Sequence, residues 1–68
     1  MTLKDIKDEI KKIKDEAWDN EMAHSNEDSL REDVLEEIAS GNLSKEECIL
    51  FAKEVLKTSN ISFARWCA

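Results

Sequence analysis

The sequence has no proline, no tyrosine and a single glycine, Gly41, and each shortage narrows what the chain can be. Without proline nothing forces a break inside a helix, and one glycine cannot build a phosphate-cradling loop. The two cysteines, Cys48 and Cys67, are too few for a disulfide framework or a zinc site of paired spacing, so both are expected as buried free thiols. His24 is the only histidine, which rules out a histidine-based triad or facial metal triad within one chain. No apolar run approaches the ~20 residues that cross a bilayer. The first residues form a charged amphipathic pattern with no apolar signal core, so no membrane partner is expected and the chain is assigned to the cytoplasm.

Basic residues are scarce in one region only. Residues 1–16 hold five Lys against five acids, and residues 41–68 hold four basic against three acidic. Residues 17–40 hold Arg31 alone against eight acids, so the excess behind the net charge of −6 lies in the middle. Phosphate binding needs clustered Lys and Arg, and such a chain is not expected to bind nucleic acid directly.

What is present is helical: Leu, Ile, Val and Ala dominate the apolar residues. The fold class expected is all-α, a small three-helix domain made of a helical hairpin plus an N-terminal amphipathic helix, with a short C-terminal helical turn. At 68 residues one core is marginal, and a homo-oligomer is expected.

The first helix is expected over about 3–19, with Thr2 as its cap and Asp5 completing the capping box. Leu3, Ile6, Ile10, Ile13 and Ala17 recur at spacings of three and four, a heptad seam that fits either the chain's own core or self-association. Trp18 and Met22 fall beside the seam as an anchor for a partner or a lid on the core. A polar connection is expected over about 20–29, where Ser25, Asn26 and Ser29 compete as caps and apolar periodicity is lost.

Ser29 and Glu32 have the capping-box spacing, so a second helix is expected over about 30–40, with Leu30, Val34, Leu35, Ile38 and Ala39 on its apolar side. Glu32, Asp33, Glu36 and Glu37 fill the opposite side as like-charged i, i+4 pairs. That face either keeps the protein in solution or docks a basic partner. Gly41 suits the left-handed position ending this helix. Ser44 and Glu47 make a second capping box, with Leu43 and Cys48 as its hydrophobic staple. The third helix is expected over about 45–58, with Cys48, Ile49, Phe51, Ala52, Val55 and Leu56 on a broad core arc and Leu50 left outside it. The arm 60–68 is expected to fold back as a short turn presenting Phe63, Trp66 and Cys67.

No catalytic residue, metal or cofactor is called for. Glu21 and His24 match the Glu-x-x-His spacing of di-iron bundles, but that site needs a second such motif and further inward glutamates. The function expected is a non-catalytic, acidic, self-associating helical protein that binds and inhibits or regulates a protein partner, one that is itself basic or binds nucleic acid. Trp18, Met22, Glu32, Asp33, Glu36, Glu37 and Leu50 are its candidate partner-binding residues, and Leu3, Ile6, Ile10, Ile13 and Ala17 its candidate seam. In size and charge it is similar to the inhibitors of immunity or anti-defence type, a likeness that rests on no motif. The alternative expectation is an oligomer that sequesters an anionic nucleotide or metabolite between subunits, using Arg31, Phe63, Arg65 and Trp66.

Overall fold

Thr2 accepts a hydrogen bond from the Asp5 backbone N–H at 3.2 Å while the Asp5 carboxylate accepts from the Thr2 N–H at 2.7 Å, so the first helix starts where its capping box is written. The structure, a computed structural model, describes residues 1–65 and is helical throughout its regular elements: α1 (Leu3–Asp15), α2 (Asn20–Ala39), α3 (Lys45–Leu56) and a 3-10 turn (Lys57–Asn60) that tightens the end of α3. No strand occurs among the described residues.

The second helix is twice as long as expected, and the polar connection is its first half. The first helix ends at Asp15, because the Glu16 N–H closes onto the Lys12 and Ile13 carbonyls and the chain turns through residues 16–19. Asp19 then caps α2 by accepting from the Met22 N–H at 3.1 Å. Ser29 therefore sits exposed in mid-helix and caps nothing. The buried stripe of α2 is Ala23, Glu27, Leu30 and Val34, spaced four, three and four. Its periodicity is helical, but one of its four members is a carboxylate and another is an alanine.

The core gathers Ile6, Ile10 and Ile13 from α1, Ala23, Leu30 and Val34 from α2, Phe51 and Val55 from α3, and Ile61 beyond the turn. Leu3, Ala17, Ile38, Leu43 and Phe63 pack on its margin. The isoleucine seam thus faces the chain's own α2 and α3, each of which α1 contacts.

Gly41 has φ +79° and ends α2 as expected, its N–H reaching the Ile38 carbonyl at 3.4 Å. Ser44 and Glu47 form the second capping box with reciprocal bonds of 3.0 and 3.1 Å. Four residues expected on apolar core faces are on the surface instead: Leu35 is 65% exposed, Leu56 58% and Ile49 44%, and Ala39 is exposed with them. Phe51 and Val55 alone meet the core requirement of α3, with Cys48 and Ala52 half-buried. The short helical element near the C-terminus lies at Lys57–Asn60, one step earlier than expected, and residues 61–65 fold back without helix. Trp66 and Cys67 lie outside the described residues.

Candidate functional site

Glu27 is 4% exposed, the one charged residue in the core stripe of α2, and an isolated carboxylate there would be strongly disfavoured. Two arginines compensate it. Arg65, 38 residues further along the chain, approaches in a bidentate fork, Nε to Oε1 at 3.0 Å and Nη2 to Oε2 at 3.2 Å. Arg31, one turn along α2, brings its Nη2 to 4.0 Å from Oε2. Burial pushes the Glu27 carboxyl up more than any other single influence, yet hydrogen bonding with Arg65 and Thr58 and the charges of Arg65 and Arg31 together hold it below the usual carboxylate value. Glu27 is therefore ionised at neutral pH.

The same arginines tie down the C-terminal segment. Arg65 Nη2 also donates to the Thr58 carbonyl at 2.6 Å, which accepts the Ile61 N–H as well, and to the Ile61 carbonyl at 2.9 Å just past the 3-10 turn. Its guanidinium lies 3.9 Å from the centroid of the Phe63 ring. Arg31 Nη2 donates to the hydroxyls of Thr58 at 3.0 Å and Ser59 at 2.9 Å, while its Nε is buried without a partner.

Of the four candidate ligand-binding residues, the structure thus brings Arg31, Phe63 and Arg65 together around Glu27, and Trp66 lies outside the described residues. A hollow of about 290 Å³ beside them is lined by Glu27, Asp28, Arg31, Ser59 and Arg65. Two guanidinium groups stand there against two carboxylates, so the hollow offers no excess of positive charge to an anionic nucleotide. Its chemistry is that of a clasp joining α2 to the last described residues.

The candidate partner-binding residues divide. Trp18, 82% exposed, occupies the turn leading into α2, and Met22 is exposed in the first turn of that helix. Since α2 runs unbroken from Asn20, helical periodicity puts Met22 on the same outward side as Asp33 and Glu36, with Glu32 at its border. Sets that the sequence separated by a connection thereby become one ridge, some ~21 Å from Met22 to Glu36 at 1.5 Å per residue. Glu37 is half-buried and turns away, its Oε1 lying 3.9 Å from the Met1 amino group. Leu50 is exposed on α3 and does not join the ridge. A shallow groove of about 550 Å³ follows the flank of α2, lined by Asp28, Arg31, Glu32, Leu35, Glu36 and Ala39.

The seam residues Ile6, Ile10 and Ile13 are buried in the core of the single chain, with Leu3 and Ala17 half-buried beside them. Cys48 is half-buried, and the His24 Nδ1 lies 3.8 Å from Asp28 Oδ2 as a helix-surface pair. Among the described residues no three His, Cys, Asp or Glu side chains are gathered as metal ligands, and no helix is long and apolar enough to cross a membrane. Glu27 is the residue that sequence reasoning missed. Its signal was positional: it lies four residues after Ala23 and three before Leu30, the slot an apolar residue would fill. Comparison of the chain with protein-family models, curated proteins and solved structures finds no match.

Proposed function

We propose that this chain is a non-catalytic interaction protein that binds a protein partner along the outward ridge of α2 and inhibits or regulates it by covering a basic surface. The observation that carries this reading is the continuity of that ridge. It begins in exposed apolar side chains, Trp18 and Met22, and ends in the exposed carboxylates Glu32, Asp33 and Glu36. No basic residue lies between Glu32 and Ser44 to neutralise that end. A buried aromatic or Met anchor supplies affinity at an interface, whereas a field of one sign speeds encounter and sets orientation. The arginine nearest that field, Arg31, is engaged with Glu27, Thr58 and Ser59.

The test is capture of a partner on immobilised protein over a salt series, with the wild type compared to the double variant Trp18→Ala, Asp33→Asn. Both positions are exposed, so the fold is retained. The expected result is one basic protein held by the wild type, released as salt rises and lost with the variant. Equal retention by both proteins, or no salt-sensitive partner, would refute the reading.

A further inference from the structure

Leu35, Ile49 and Leu56 carry the apolar character of core residues and stand exposed. Their placement is not scattered. Helices α2 and α3 are joined by the short connection Ser40–Ser44 and run antiparallel, and the bonds from Arg31 to Thr58 and Ser59 set their register. Moving toward the connection, Leu35 follows Arg31 by four residues, while Leu56 and Ala52 precede Ser59 by three and seven and Ile49 by ten. Helical periodicity keeps each set on the side that its reference residue marks. The outer face of the hairpin, away from α1, thus carries Leu35 and Ala39 on one helix and Ile49, Ala52 and Leu56 on the other.

The two edges of this face have opposite charge. Glu32 and Glu36 flank it on α2, and Lys53 and Lys57 flank it at the same level on α3 and its C-cap, all four exposed. A face that is apolar in the middle, acidic along one edge and basic along the other is complementary to itself under one rotation only. A two-fold axis parallel to the hairpin lays α2 of one copy over α3 of the other, so that both acidic edges meet basic edges. The perpendicular in-plane axis lays α2 on α2 and sets carboxylates against carboxylates.

We infer that a second copy of this chain docks on the outer α2–α3 face, with Leu35, Ile49 and Leu56 at the centre and Glu32 and Glu36 facing Lys57 and Lys53 of the second copy. Self-association then uses the hairpin and leaves α1 in the core. Trp18, Met22 and Asp33 lie outside this contact but Glu32 and Glu36 belong to both surfaces, so the changes at Leu35 and Leu56, which leave the ridge intact, separate this inference from the partner proposed there.

Mass in solution over a concentration series, by sedimentation equilibrium, tests it directly. The wild type is expected to be a dimer, and Leu35→Gln with Leu56→Gln is expected to weaken it by at least about tenfold while far-UV circular dichroism keeps its helical signal. Charge reversal supplies the second arm. Glu32→Lys with Glu36→Lys, and separately Lys53→Glu with Lys57→Glu, are each expected to be monomeric alone and to form a heterodimer when mixed in equal amounts. A monomeric wild type, a dimer unaffected by the leucine changes, or charge-reversed proteins that associate no better together than apart would each overturn the inference.

Discussion

Replacing Glu27 by glutamine takes one charge and one acceptor from the point where α2, the 3-10 turn and the C-terminal segment meet. The shape of the side chain is kept, so the change reads electrostatics rather than packing. Of the two bonds from Arg65, one can be kept by the amide oxygen, and the other is replaced by two donors facing each other. A hydrogen bond to a charged group contributes about 1.5–3 kcal/mol. The attraction to Arg31 at 4.0 Å adds to this, but the carboxylate's desolvation, removed in the variant, works against it. A net loss of about 2 kcal/mol follows, a drop of about 8–16 °C in melting midpoint for a chain this short. Glu27→Ala, which leaves both arginines uncompensated, is expected to cost about 3 kcal/mol, near the lower end for a broken buried pair because Arg65 is one-third exposed. The assay is thermal and urea unfolding followed by far-UV circular dichroism, repeated as a function of pH. Because the folded carboxyl titrates below its unfolded value of 4.5, its stabilisation is fully present above that pH and is lost as pH falls through the lower folded value. Wild type and Glu27→Gln should therefore differ at neutral pH and converge in acid. A Glu27→Gln midpoint within about 2 °C of the wild type at neutral pH would refute the clasp as a source of stability.

Two further outcomes follow from the packing. Ile13→Ala, at a fully buried position, should cost about 3 kcal/mol and leave much of the chain unfolded at room temperature, which a urea titration would register as a lost folded baseline. Gly41→Ala meets no atom within 4 Å and should cost only the backbone strain of φ +79°, about 1 kcal/mol, whereas Gly41→Asn should cost less because Asn tolerates that region; paired thermal melts separate the two.

The starts of α1 and α3 and the end of α2 were legible in the sequence because their causes are local. Thr2 with Asp5, Ser44 with Glu47, and Gly41 act within three or four residues of themselves. The boundary between α1 and α2 was misread for the opposite reason. Ser29 and Glu32 offer a capping box on local grounds, but Asp19 caps ten residues earlier, and the intervening stretch is held helical by burial of Ala23 and Glu27. Tertiary packing outweighs a cap worth about 1 kcal/mol. Leu35, Ile49 and Leu56 were assigned inward because apolar periodicity reports which helix side is apolar and not how much of it one small core can cover. The ridge of Trp18, Met22, Asp33 and Glu36 was present residue by residue, but a supposed connection concealed that most of it lies on one helix.

By itself the sequence determined the all-helical class, the caps, the left-handed turn at Gly41 and the isoleucine stripe of α1, since each depends on neighbours within a turn of helix. The tertiary structure alone decided that Glu27 belongs in the core, because the charge that makes its burial tolerable arrives on Arg65 from the far end of the chain. It also decided that the seam of α1 is filled by α2 and α3 and that the apolar surplus falls on the outer hairpin face. Those outcomes depend on which surfaces three packed helices can cover at once, and no local pattern carries that information.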